Sequence, residues 1–261
     1  MQDKSIIFFD IDGTLLNSEK KLPDTTRQAV DALKKAGHIV AIATGRAPFM
    51  YKELREALDI DTYISCNGQY VVLEGEVIYK NPLDAHALSD LTEHALENDH
   101  PVIYLSEDDM RSNVPEHEYI TEGLSTLQLG ITPTHDSSYH EEKELYQTLL
   151  FCPEGEEQQY EEAYNKFDFV RWHPLSVDVI PKGGSKANGI EKIINHLDFS
   201  GDRQYAFGDG PNDVEMLTAV ENSYAMGNAT DLVKSYAKHV TSHVDEDGIL
   251  NGLKQAGLIQ E

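Results

Sequence analysis

The chain has 261 residues, 40% of them hydrophobic, and its 46 acidic side chains against 21 Lys and Arg give a formal net charge of −25. Such a balance repels polyanions and offers no basic stripe to track phosphates, so nucleic acid and anionic membrane are excluded as natural partners. The length suits two modest domains, each burying its own core, and the composition is that of a folded globular protein rather than a disordered or fibrous one.

Asp3 and Lys4 precede only a short apolar run, so neither a signal peptide nor a bilayer-spanning stretch is expected and the location is read as cytoplasmic. Cys66 and Cys152 are expected to be reduced, structural thiols. Ser5 to Phe9 (SIIFF) is a continuous apolar run ending at Asp10, as suits a parallel strand covered on both faces. The spacing of Ala29, Val30, Leu33 and Ala36 predicts a helix over Leu22 to Ala36, entered through Pro23-Asp24 and stopped by Gly37. A strand at His38 to Ala43, a helix from Pro48 to about Leu58 and a strand at Tyr63 to Cys66 follow. This alternation predicts an α/β fold with a right-handed, doubly wound parallel sheet, whose ligands collect beyond the carboxyl ends of the strands. Asp10, Thr44 and Asn67 all fall at such ends.

Tyr70 to Tyr79 reads as a hairpin turning at Glu74-Gly75. From about Asp84 the composition changes: residues 84–180 hold 22 acidic and four basic side chains, so most of the negative charge is concentrated there. Within that segment the pattern predicts helices at His86 to Glu97 and Glu156 to Tyr164, with strands at Val102 to Leu105, Tyr146 to Phe151, Phe167 to Arg171 and Ser176 to Ile180. The first rhythm then resumes with helix Ser185 to His196, strand Tyr205 to Phe207, helix Pro211 to Thr218, strand Ser223 to Met226 and helix Asp231 to Lys238. The expected organisation is a core of residues 1–83 and 181–261 interrupted by an α+β cap of residues 84–180.

Asp10-Ile11-Asp12 places two carboxylates where the first strand leaves the sheet. Alone, such a pair is more often a solvated turn. A calcium loop of the EF-hand type fails, because Leu15 stands where Gly is needed and Lys21 where Glu is needed. A carboxylate of pKa roughly 4 is ionised at neutral pH and can attack phosphorus, but only where positive charge lets two anions meet. Gly208-Asp209-Gly210-Pro211-Asn212-Asp213 brings two more carboxylates to the same sheet edge, and a compact set of oxygen ligands suits Mg²⁺. Lys186, near the start of a helix, offers charge to a phosphate, although a lone Lys is more often merely solvated. Thr44 and Gly45 fit a phosphoryl-binding turn and a plain turn equally well in isolation. All of these features sit at strand ends of one sheet in complementary roles.

Asp10 to Leu15 (DIDGTL), Thr44 to Arg46 (TGR), Lys186 and Gly208 to Asp213 (GDGPND) resemble the four signature motifs of the haloacid dehalogenase superfamily, and more narrowly its Cof-type phosphatases. The similarity spans essentially the whole chain, Cys66-Asn67-Gly68 and the inserted cap included. The resemblance implies a Mg²⁺-dependent phosphohydrolase of small phosphomonoesters, with Asp10 as nucleophile and metal ligand. Asp12 would be general acid and base and would ligate the metal through its backbone carbonyl. It further implies that Asp209 completes the direct ligands, that Asp213 holds metal-bound water or orients Lys186, and that Ile11 N–H, Thr44, Gly45, Lys186 and Asn212 hold the phosphate, with Arg46 as a substrate contact.

Three rivals are weaker. A dehalogenase uses the first Asp alone and needs no metal, a phosphomutase calls for cationic cap residues, and a phosphate-sensing regulator would not need the full set of catalytic groups. The seven cap histidines (His86, His94, His100, His117, His135, His140, His173) are read as solvated or structural, and Trp172 as a core residue. The acidic cap is expected to close over the site and to favour sugar phosphates or phosphorylated cofactors carrying one phosphate. A monomer or weak homodimer is the expected assembly.

Overall fold

The computed structural model describes residues 4–197 and 199–259. They divide into two compact units: one built from the segments up to Gly45, Tyr51–Tyr79 and from Ser185 onward, the other from Arg46–Met50 and Lys80–Gly184. The first unit opens with β1 (Ile6–Phe9), α1 (Asp24–Lys35), β2 (Ile39–Ala43), α2 (Lys52–Leu58), β3 (Tyr63–Ser65), β4 (Tyr70–Leu73) and β5 (Glu76–Lys80). The helix expected from Pro48 begins instead as a 3-10 turn over Pro48–Tyr51, and Tyr51, at φ −135, interrupts it before α2 starts. The Tyr51 hydroxyl is buried against the Ser65 hydroxyl, a tertiary bond that outweighs local helix continuity.

The second unit contributes α3 (Ala85–Glu97), β6 (Val102–Leu105), β7 (Met110–Ser112), α4 (Glu118–Ser125), β8 (Thr134–His135), α5 (Tyr139–Glu142), β9 (Gln147–Leu150), α6 (Gln158–Ala163), β10 (Phe167–His173) and β11 (Ser176–Pro181). Its sheet runs β10-β11-β9-β6-β7-β8. Leu88, Leu91 and Ala95 of α3 pack with Val102, Tyr104, Leu150, Tyr160, Val177 and Val179, so the face of the sheet under α3 is apolar. β7, β8 and α5 went unread in the sequence because each is too short to show a period, and α4 because Gly123 interrupts its apolar face. Three of the histidines serve the framework here, while His86 and His135 are exposed. His100 is buried between the Tyr160 hydroxyl (2.7 Å) and Glu156 (3.0 Å), His117 Nδ1 caps α4, and His140 stacks on Tyr104.

The first unit resumes with α7 (Lys186–Leu197), β12 (Gln204–Gly208), α8 (Val214–Ala219), β13 (Asn222–Ala225), α9 (Asp231–Tyr236), β14 (His239–Val240) and α10 (Gly248–Gln255), the last two beyond what periodicity had shown. Its eight strands lie in the order β14-β13-β12-β1-β2-β3-β4-β5. From β14 to β3 every pairing is parallel, and β4 turns back antiparallel to β3. Alternation along the strands sends Ile6 and Phe8 of β1 to a core completed by Ala41, Ile64, Ala206, Ile190, Ile193 and Met216. On the strands Phe9, Phe207, Tyr224 and His239 stack ring to ring at 4.8–5.1 Å. Fully burying each such aliphatic or aromatic side chain contributes about 1.5–3 kcal/mol, which fixes where the strands end and hence where the polar residues after them emerge. Among the described residues no helix is long and apolar enough to cross a membrane.

Candidate active site

Two adjacent parallel strands, β1 and β12, deliver the acidic side chains. Asp10 N–H donates to Phe207 O at 3.0 Å, which extends the β1–β12 ladder by one rung and brings the residue after β1 level with the residues after β12. Asp10, Asp209 and Asp213 then converge, with one ligand oxygen from each lying within 4.8 Å of the others, the one such acidic or metal-ligating cluster found among the described residues. Lys186, fully buried, donates from Nζ to Asp10 Oδ1 and to Asp213 Oδ1, both at 2.6 Å.

Local backbone geometry explains how α7 brings Lys186 in. Gly68 has φ +97, and a Cβ there would stand 2.0 Å from Ser185 O, so only Gly allows the first turn of α7 to press on the loop after β3. Asp213 is held from the other side: its Oδ2 accepts the backbone N–H groups of Asp209 and Gly210, each at 2.9 Å. Gly13, with φ +81, closes the turn after β1 against Asp209, whose Oδ2 would lie 2.3 Å from an added Cβ.

Asp209 has two partners that sequence reasoning missed as site residues. Thr14 Oγ1 donates to its Oδ1 at 2.9 Å, and Asn228 Nδ2 donates to its Oδ2 at 3.0 Å. Asn228 also donates to Gly13 O at 2.9 Å and accepts Val244 N–H at 3.0 Å, so its amide is locked at both ends. Asn228 stands beyond Ala225, the last residue of β13, where nothing local distinguishes it from other polar loop residues. Asn67, expected at a strand end beside Asp10 and Thr44, joins the site as well. Its N–H donates to Thr44 O (3.1 Å), its Oδ1 accepts from Asn212 Nδ2 (3.4 Å), and its amide lies 3.1 Å from where a Gly45 Cβ would be. Thr44, Gly45, Asn67 and Asn212 therefore form one contiguous polar group. Ile11 is fully buried and its carbonyl accepts Leu16 N–H at 2.8 Å. Asp12 lies outside the carboxylate trio and pairs instead with Lys20 Nζ at 2.7 Å. Arg46 falls in the second compact unit.

Three carboxylates face one ammonium, and the titration of Asp10 and Asp209 registers the deficit. Burial, opposed by Lys186 and reinforced by Asp213, Asp209 and Asp12, pushes Asp10 up to about 8. Burial and Asp213 likewise raise Asp209 to about 6 against the opposing Thr14 bond and Lys186. Burial alone would push the Lys186 ammonium down, but Asp10 and Asp213 outweigh it and hold it above its ordinary value. A compact set of hard oxygen donors short of positive charge fits a small divalent cation.

The chain belongs to the haloacid dehalogenase-like hydrolases, whose family model matches residues 7–253. Within that family it is a phosphatase. Over 258 residues, 99% of this chain and 100% of the relative, it is 47% identical to the Bacillus subtilis (strain 168) protein YkrA, which carries a provisional phosphatase name. A hypothetical protein from Geobacillus kaustophilus HTA426, solved by crystallography, superposes with a TM-score of 0.92 at 49% identity, covering 98% of this chain and 100% of that one. The subclass IIB sugar phosphatase BT4131 superposes with a TM-score of 0.87 at 33% identity, covering 98% of this chain and 100% of that one.

Proposed function

We propose that the chain hydrolyses small phosphomonoesters with the help of Mg²⁺ through an aspartyl-phosphate on Asp10. The observation that carries this reading is the buried cluster in which Lys186 joins Asp10 to Asp213 beside Asp209. Asp10, Asp209, Asp213 and the Asp12 carbonyl would hold the cation. Bound there, Mg²⁺ supplies the charge that lets a carboxylate approach a phosphate and polarises the phosphoryl oxygens.

In the first step a carboxylate oxygen of Asp10 bonds to phosphorus, the bond from phosphorus to the leaving oxygen breaks, and protonated Asp12 gives that oxygen its proton. In the second, water bonds to phosphorus, its proton passes to Asp12, and the bond to Asp10 breaks to release inorganic phosphate. Lys186 balances the charge on Asp10, while the Thr44, Gly45 and Asn212 group and Ile11 N–H hold the phosphoryl oxygens. Arg46 is assigned to the substrate side. The substrate class is sugar phosphates or phosphorylated cofactors, supported by the likeness to BT4131 and by the acidity of residues 84–180.

The direct test is phosphate release from p-nitrophenyl phosphate with and without Mg²⁺, followed by a screen of phosphorylated metabolites. Turnover is expected only with the cation and to favour monophosphates. Wild-type protein with no Mg²⁺-dependent turnover would instead support a phosphate-sensing regulator. Asn228→Ala, which removes the donor to Asp209 Oδ2 and leaves only Thr14 on Oδ1, is expected to raise the Mg²⁺ concentration for half-maximal activity about 10-fold or more, as loss of a ligand-orienting partner typically does. A titration of activity against Mg²⁺ reads this out.

A further inference from the structure

We propose that Lys20 is a positioning residue for Asp12, clamping one oxygen of its carboxyl so that proton transfer runs through the other. This rests on the acid–base role given to Asp12 above. Lys20 Nζ donates to Asp12 Oδ1 at 2.7 Å, and the loop between them is built to make that contact. Leu16 N–H returns to Ile11 O at 2.8 Å, Gly13 N–H donates to Leu16 O at 3.0 Å, and Asp12 bridges to Leu16. Asn17 then organises the tip. Its Oδ1 accepts Glu19 N–H (3.1 Å) and Lys21 N–H (2.9 Å), its carbonyl accepts Lys20 N–H (2.9 Å), and its own N–H donates to Lys21 O (2.9 Å). Ser18 N–H anchors the tip to Asp245 Oδ1 at 3.2 Å. At the end of this arm Lys20 adopts φ 58, a left-handed conformation that a residue other than Gly keeps only where its surroundings impose it.

An ammonium group donates hydrogen bonds and accepts none. The carbonyl-type oxygen of a carboxylic acid is the better acceptor, so the contact holds Oδ1 as acceptor and favours Oδ2 as the site of the transferable proton. The same contact fixes the plane of the carboxyl, which otherwise rotates broadly about its last torsion. In the first step Oδ2 releases its proton to the leaving oxygen; in the second it takes the proton of the attacking water. Lys20 and Asp12 lie in the loop after β1, outside the apolar core clusters, so losing the pair is expected to leave the fold in place.

The value of kcat/KM reports events through the first phosphoryl transfer, which needs the acid only when the leaving oxygen is basic. Lys20→Met is expected to lower kcat/KM about 10–100-fold for phenyl phosphate but less than about 3-fold for 2,4-dinitrophenyl phosphate, with p-nitrophenyl phosphate between them. The urea midpoint should stay at the wild-type value, and Lys20→Arg, which restores a donor, should recover most of the phenyl phosphate activity. Equal losses on all three esters, with or without a lowered midpoint, would overturn the clamp, as would an unchanged rate on phenyl phosphate. Asp12→Asn provides the reference: if it too lacks leaving-group dependence, or if wild-type protein hydrolyses none of the esters, the acid–base reading of Asp12 falls and the clamp with it.

Discussion

Lys186→Met is expected to lower turnover by about 10³-fold or more and to destabilise the metal-free protein by about 3–5 kcal/mol. The ammonium has no solvent exposure and makes two 2.6 Å charge-assisted bonds, one to Asp10 and one to Asp213. When it goes, Asp10 can relieve its burial by holding a proton, but Asp213, fully buried in the turn after β12, cannot be resolvated. Replacing one member of such a group leaves desolvated charge without a partner, which costs far more than the group contributes when intact. Urea unfolding with and without Mg²⁺, alongside phosphate release, measures both effects. A variant as stable as wild type in the absence of the cation would show that Lys186 does not hold the cluster together.

The second large effect belongs to Asp10→Asn, which should cut turnover by about 10⁴-fold or more while stabilising the metal-free protein at alkaline pH. In the folded state Asp10 keeps its proton up to about 8 and Asp209 up to about 6, against ordinary values of 3.8. Between those limits the folded chain binds more protons than the unfolded chain, so stability falls as pH rises. The contribution is fully present below pH 4 and is lost as pH climbs through 6 and then 8. Asn at position 10 removes the upper step. The variant should therefore melt higher than wild type at pH 8 in EDTA by about 2–4 °C for each kcal/mol recovered. Mg²⁺ should erase the difference by stabilising wild type alone. Thermal melts across pH 5–8 with EDTA or Mg²⁺ decide it, and a wild-type melting temperature that rises with pH in EDTA would contradict the titration of the cluster.

Much of this site was legible because its residues follow apolar runs. SIIFF before Asp10 and the short strand before Gly208 announce themselves by hydropathy, and the rule that parallel strands present ligand-binding residues at one edge does the rest. What could not be read depends on side chains meeting across the chain. Asn228 is an ordinary polar residue after β13 until its two ends are seen bonded to Asp209 and to Val244 N–H. Lys20 is one of two adjacent lysines in a polar loop, and only the left-handed turn at Asn17 to Lys21 directs it to Asp12. α10 escaped notice because two glycines, Gly248 and Gly252, stand where an apolar helix face is expected; Gly252 does so because a Cβ would meet Phe207 at 2.6 Å. Short elements of the second unit stayed hidden for want of length, not of order.

Strand β1 has a bearing on how the chain is made. It sits between β2, which emerges from the ribosome soon afterwards, and β12, where Ile6 waits for Gln204. Throughout synthesis of the intervening polypeptide, Ile6 to Phe9 must carry an open hydrogen-bonding edge of purely apolar residues, the kind of edge that seeds misassociation. Such distant pairing also slows folding, so the cluster of Asp10, Asp209 and Asp213 can be assembled only after translation has passed Asp213. A nascent chain stalled within the insert would expose that edge to chaperones, and ribosome-bound fragments ending before Gln204 should be captured by them far more readily than those ending after Ala225.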